Sequence, residues 1–530
     1  MRPGGSLVLT NGAIYPRAVE RRTCSGLVIE GGLVRANLTT PPGGGLEGSP
    51  IVNLGGRAVL PGLIDAHLHL EKYSLQLQLV DCETTSLRDC VQRVAARAKS
   101  SPPGEWVLGH GWNQNDWGGF GDAGDLDAVA PGRPVYLTAK SLHAGWVNSE
   151  ALRRAGIHAT TPDPEGGWIQ RRPDGSPTGI VFEGAMSLVA QAVPQPTTAV
   201  RLEAMRAAQQ RLWRMGLTGV HDFDGPRSFQ TLQLLDEAGL LDLRVLKSIP
   251  FELLGQAAAL ALRSGFGHER LRLGAVKLFA DGALGPRTAA MLEAYDEEPA
   301  NTGHLLLDRE AVLEAGIRAA ESGLALAIHA IGDRANHEVL DGLAALRQHE
   351  TDNGLPPLRH RIEHLQLLHP DDVRRPAESN IIASMQPSHA PSDMPMADRY
   401  WGRRSEFGYA WKSQLRAGAR LAFGSDAPVE SPDPFLGLHA AVTRRRLDGS
   451  PSPEGWMPQE RLDITEALEA FTEGAAFAAG AESEQGRLEP GFLADLIVVD
   501  RDPLSIPPED LPSVRVLGTM VAGKWVLKEF

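Results

Sequence analysis

Cysteine is scarce: Cys24, Cys82 and Cys90 are the only thiols in 530 residues. They form no CxxC pair and no disulfide framework, so the expected setting is a reducing one, the cytoplasm. Long apolar runs are also missing. The opening "MRPGGSLVLTNGAIYP" is too short in apolar character for a signal peptide, and no later segment resembles a membrane span. Basic charge is the minority, with 52 Lys and Arg against 66 Asp and Glu, a net −14. A chain of that sign, without a basic amphipathic stretch, has no electrostatic reason to bind nucleic acid or an anionic membrane. No GxGxxG or GxxxxGK[ST] follows an apolar run, which speaks against nucleotide binding, and no GxSxG offers a serine nucleophile. The composition, 42% hydrophobic and 22% charged, is that of a folded globular chain.

What is present is a regular alternation. Eight apolar, strand-like runs occur at 59–66, 217–223, 243–249, 273–281, 324–330, 360–366, 381–387 and 419–426. Amphipathic helical segments at 201–215, 228–239, 309–322 and 333–348 separate several of them. Eight strands alternating with helices predict a parallel β/α barrel, with a doubly wound open sheet as the alternative. Both ends of the chain are β-rich. Asn11-Gly12 reads as a hairpin dipeptide, and Gly31-Gly32, Pro490-Gly491 and Ala522-Gly523 mark further turns. The two ends therefore form halves of one small β-domain, 1–58 with 481–530, around a barrel of 59–70 and 201–480. About 150 residues separate the first run from the second, far more than an ordinary connection. Residues 71–200 are expected to be an inserted subdomain over the barrel mouth.

Metal-ligand residue types recur at the ends of these runs. The first closes with His67 and His69, the fourth holds Lys277 and Asp281, the fifth holds His329, the sixth holds His364 and the eighth closes with Asp426. In a barrel the C-terminal strand ends converge on one mouth. Side chains two apart on a strand share a face, so His67 and His69 can address one ion. Singly, each has an ordinary explanation: a structural hydrogen bond for a histidine, a helix cap for Asp426. The recurrence on separate strands is what those explanations leave out. Imidazoles with a carboxylate suit zinc, and also manganese, iron, cobalt or nickel, and the donor set alone does not choose among them. In the insertion, "LGHGWNQNDW" offers Trp112 and Asn113 to an apolar or polar substrate group. Asp281 and Arg287, in "DGALGPRTA", either pair with each other or meet the substrate.

The segments "LPGLIDAHLHL", "VKLFADGALGPRTA", "AIHAIGDRAN", "HRIEHLQLL" and "FGSDAPV" together resemble the amidohydrolase superfamily, in its YtcJ-like branch, across nearly the whole chain. That resemblance implies a distorted (β/α)8 TIM barrel carrying a small β-sandwich, with one or two divalent metals, zinc foremost. It implies His67 and His69 on the more buried metal, and His329 and His364 on the second. Asp426 would be both ligand and general base, Lys277 a carboxylated lysine bridging two ions, and His143 a residue that polarises the substrate carbonyl. The expected activity is hydrolysis of a non-peptide C–N bond of a small molecule by metal-activated water. A deaminase or cyclic-amide hydrolase on the same scaffold, or a catalytically silent binding protein, are the alternatives. A homodimer is a family-level expectation.

Overall fold

The computed structural model describes residues 5–40, 49–140 and 143–530. Its chain forms two compact units, 1–73 with 205–530, and 74–204. In the first unit lie eight strands, β1 (Leu63–Leu68), β2 (Leu217–Asp222), β3 (Arg244–Pro250), β4 (Leu271–Phe279), β5 (Leu326–Ala330), β6 (Arg361–His364), β7 (Ile382–Met385) and β8 (Leu421–Phe423). Neighbours pair in parallel from β1 through to β8. A parallel bridge between Leu68 and Ala427 brings the exit of β8 against that of β1, so the sheet is a nearly closed barrel. Helices between the strands turn apolar faces inward. In Asp333–Asp352, for example, Val339, Leu340, Leu343 and Leu346 are buried at helical spacing.

Both ends of the chain enter one further sheet. Leu496–Val499 pairs antiparallel with Ala58–Pro61, which runs parallel to Ser6–Ile14. The apolar run at 59–66 is therefore two strands, not one. Gly62 is the junction, because a Cβ there would lie 2.3 Å from the Thr218 side chain. Asn11-Gly12 also departs from its expected role. Ser6–Ile14 is one strand, whose pairing with Cys24–Glu30 slips between Thr10 and Ile14. Asn11 takes φ 57 there, and the space where a Gly12 side chain would go is filled by the Arg57 carbonyl and Leu54. The dipeptide makes a bulge instead of a hairpin. Gly31-Gly32 and Ala522-Gly523 do turn hairpins, both residues of each having positive φ.

The second unit is built on a six-stranded sheet around a core that includes Trp112, Trp146, Val135, Leu137 and Ile180. Among the described residues no helix is long and apolar enough to cross a membrane.

Candidate metal centre

The alternation of β1 aims the first histidine. Ile64 and Ala66 pack outward on Ala475 and Ala476, so Asp65 and His67 point into the barrel. His67 is 1% exposed. His69 follows just past the strand, its N–H bonded to the Ala427 carbonyl. Lys277 in β4, His329 in β5, His364 at the end of β6 and Asp426 just beyond β8 come to the same C-terminal mouth. His364 and Asp426 have φ of 74° and 59°, a region L-residues seldom enter. The Asp426 N–H donates to the His67 carbonyl at 2.6 Å, which helps hold that conformation.

Each of four imidazoles has one nitrogen spoken for by an acceptor. His67 Nδ1 lies 2.6 Å from Glu363 Oε2, and His69 Nδ1 lies 3.2 Å from Asp224 Oδ1. His364 Nδ1 is 2.8 Å from Gln386 Oε1, and His329 Nε2 is 2.8 Å from the Gly282 carbonyl. Carboxylates and carbonyls only accept, so those ring nitrogens donate, which in a neutral ring leaves the opposite nitrogen its lone pair. His67 Nε2 and His69 Nε2 stand 3.6 and 3.5 Å from Asp426 Oδ1. Candidate ligand atoms of His67, His69 and Asp426 lie within 4.8 Å of one another, as do those of His364, His389 and Asp426. The ring centroids of His329 and His364 are 4.6 Å apart.

Charge follows from burial. Desolvation pushes His67 down to about 4, assisted by Lys277, and His329 down to about 3. His364 is lowered too, chiefly by burial, so these rings are neutral, as metal ligands must be. Burial raises the Asp426 carboxyl, but His69 and the imidazoles of His67, His364 and His389 outweigh it and hold Asp426 well below the usual carboxylate range. Burial lowers His69, but Asp224 and Asp426, one facing each of its ring nitrogens, outweigh it and raise His69. Lys277 is buried with Nζ between the rings of Phe223 and Phe279, at 5.0 and 4.9 Å. It has no ion-pair partner among the described residues, and desolvation brings it down to about 8. A cluster of bare imidazole nitrogens around a carboxylate fits a divalent cation, which would supply the charge the cluster lacks.

Of the four expected substrate contacts, Asp281 lies against a candidate ligand, its Oδ1 3.5 Å from His329 Nε2. Trp112 is 1% exposed in the core of the second unit, its indole N–H donating to the Leu137 carbonyl. Asn113 caps the short helix Gln114–Trp117 and bonds Asp116. Asp281 and Arg287 do not pair. Asp281 is buried and accepts the N–H groups of Ala290, Ile331 and Gly332, tying together the loops that leave β4 and β5. Arg287 pairs with Glu298 and lies over the Tyr400 ring. His143 is exposed in the second unit and pairs with Glu183.

Other residues at the mouth were not read from the sequence. Glu363 lies between His67 and Arg361, and accepts from Ser384 as well. Asp224 accepts from the backbone of Glu71 and Lys72 besides His69. Its loop is braced by Lys247, which bonds the Asp222 and Asp224 carbonyls. Gln386 backs His364, and His389 reaches Asp426 Oδ2 at 3.9 Å. The signals available were charges inside apolar strands: Arg361 and Glu363, two apart in "RIEH", and the paired acids of "HDFD".

A parallel barrel whose mouth gathers four imidazoles, a lysine and an aspartate has the architecture of metal-dependent hydrolases. The amidohydrolase family model matches residues 50–527, and the chain belongs to that family. It is 34% identical to the YtcJ protein of Bacillus subtilis (strain 168), over 98% of both chains. It is 29% identical to N-substituted formamide deformylase of Arthrobacter pascens, over 95% of both. The crystal structure of an uncharacterized metal-dependent hydrolase from Pyrococcus furiosus superimposes with a TM-score of 0.78 at 30% identity, covering 94% of this chain and all of that one. Within the family the chain falls in the YtcJ-like branch, and it is a hydrolase.

Proposed function

We propose that the chain hydrolyses a non-peptide C–N bond of a small molecule, foremost a linear N-acyl or N-formyl amine, with a divalent metal and Asp426 as general base. The observation that carries this is the gathering of His67, His69 and Asp426, whose candidate ligand atoms lie within 4.8 Å of one another, with Glu363 and Asp224 behind the two rings. The likeness to a protein named for deformylating N-substituted formamides supports the substrate class. His67 and His69 would hold one ion with Asp426, and His329 and His364 a second; zinc suits the donor set. Such an ion supplies Lewis acidity, lowering the pKa of water and polarising a carbonyl.

The chain's own residues supply the proton handling. Asp426 takes a proton from the attacking water as the new C–O bond forms. It then returns the proton to the leaving nitrogen as the C–N bond breaks, so that amide and water become acid and amine. Lys277, brought to about 8, keeps a share of neutral amine near neutral pH. We read it as adding CO2 to give a carbamate with release of a proton, which turns a buried cation into an oxygen ligand.

Elemental analysis of the purified protein and a panel of N-formyl and N-acyl amines, with zinc or manganese supplied, test the reading. Bound divalent metal with release of the amine is expected. A protein that holds no divalent metal and hydrolyses none of the panel refutes it, and release of ammonia from an amino-heterocycle instead would favour a deaminase. Native mass spectrometry showing no added CO2 on Lys277 would leave a mononuclear site.

A further inference from the structure

We propose that His389 is a further catalytic residue of this site: its Nε2–H donates to the substrate carbonyl oxygen as that oxygen gains negative charge, and it does not bind metal. The inference rests on the amide-hydrolase reading above. His389 follows β7 in "MQPSHAP" and is 7% exposed. Its ring lies parallel to that of His364, with centroids 6.1 Å apart.

What distinguishes it from the four other imidazoles is the group behind it. Behind each of those stands an acceptor. Behind His389 stands the side-chain amide nitrogen of Gln366, which faces Nδ1 at 3.4 Å. Gln366 turns its amide nitrogen to Nδ1 and leaves its Oε1 without a partner among the described residues; with that amide facing it, Nδ1 accepts and the proton of the neutral ring is on Nε2. His67 and His364, neutral and backed by acceptors, keep lone pairs on their free nitrogens, and His389 presents an N–H. A lone pair suits a cation; an N–H suits an oxygen that is becoming anionic.

The donor is also unspent. Nε2 is buried with no hydrogen-bond partner among the described residues. Asp426 Oδ2, at 3.9 Å, is beyond hydrogen-bond distance. Such a buried donor is a standing penalty that a ligand oxygen would relieve. The two oxygens of Asp426 face different ways: Oδ1 toward His67 and His69, Oδ2 toward His389. A carbonyl attacked by water held at Asp426 would have its oxygen within reach of Nε2. In that step the C–O bond to water forms, the C=O π pair moves onto the carbonyl oxygen, and His389 holds that oxygen without giving up its proton. The pair returns as the C–N bond breaks.

The test uses the full-length protein with His389→Ala and His389→Gln, assayed on the most active amine of the panel. We expect kcat to fall about 10²–10³-fold in His389→Ala with KM changed little, and part of the loss to be recovered by the donor in His389→Gln. Metal equivalents should equal those of the wild type. Metal lost along with kcat would make His389 a ligand, and unchanged kcat would make it structural; either overturns the proposal. The tautomer can be read without turnover, from ring ¹⁵N resonances that disappear in His389→Ala. A bare Nε2 overturns the proposal on its own. An inactive wild type, by contrast, refutes the parent reading and is seen as such on the panel.

Discussion

Glu363 is the most consequential acidic residue outside the candidate ligand set, and replacing it with glutamine is a demanding test of how the mouth is held. The side chain is fully buried. Oε2 accepts from His67 Nδ1 and Ser384 Oγ, each at 2.6 Å, and from the Arg361 guanidinium at 3.2 Å. Oε1 faces Arg361 Nε at 2.5 Å. A carboxamide is isosteric but has one acceptor oxygen, so in Glu363→Gln an NH2 must confront either the guanidinium or His67. Leaving the buried Arg361 without its counter-charge should cost about 3–5 kcal/mol of stability. Weaker orientation of His67 should reduce metal affinity about 10–100-fold. The two effects are separable. Urea unfolding of metal-stripped protein reads the first, and competition with a chromophoric chelator reads the second. If Glu363→Gln unfolds at the wild-type urea concentration and binds zinc as tightly, the argument that this carboxylate anchors both Arg361 and His67 is wrong.

Asp426→Asn should keep most of the bound metal, because an amide oxygen can still ligate, yet lose turnover by about 10²–10⁴-fold; retained turnover would remove Asp426 as the base. The metal-free protein should weaken in acid. Burial lowers His67 to about 4 and His329 to about 3, and lowers His221, His360 and His364 as well. The unfolded chain then takes up protons below about 6.5 that the folded chain refuses, so stability present at pH 7 is lost as pH falls, by up to about 1.4 kcal/mol per pH unit for each such histidine. Asp65 and Asp281, which burial raises to about 7, and His69, which is also raised, oppose this, but the five lowered histidines outnumber them. A flat urea midpoint from pH 7 to 5 would contradict this. Gly62→Ala should destabilise by about 1–3 kcal/mol through collision with Thr218, and Thr218→Ala should relieve much of that in the double variant. Strictly additive losses would show that the close approach is not what requires glycine.

The eight strands were readable because a barrel strand buried on both faces is a continuous apolar run, and hydrophobicity registers burial directly. It does not register the identity of the partner. Residues 58–68 are apolar from the terminal sheet into the barrel, and nothing in their pattern marks Gly62, where the partner changes from Leu496–Val499 to β2. Asn11-Gly12 failed for a related reason. Positive φ serves a bulge as well as a turn, and only the neighbour filling the missing side chain's place, here Arg57 and Leu54, separates the two.

At the mouth the same division holds. His67, His69, Lys277, His329, His364 and Asp426 could be singled out because strand ends converge by topology alone. What makes their arrangement chemically specific is the group behind each ring, and that is a property of contacts between strands distant in sequence: Glu363 on β6 behind His67 on β1, Asp224 beyond β2 behind His69, Gln386 beyond β7 behind His364. Trp112 and Asp281 show the converse. A tryptophan in a polar loop and an aspartate at a strand end look alike as candidates, yet one fills a core and the other gathers three backbone N–H groups beside His329. Residue type and position along a strand therefore nominate candidates, and the second hydrogen bond of each candidate assigns its role. By that criterion a fifth imidazole at the same mouth, backed by a donor where the other four are backed by acceptors, belongs to the substrate and not to the metal.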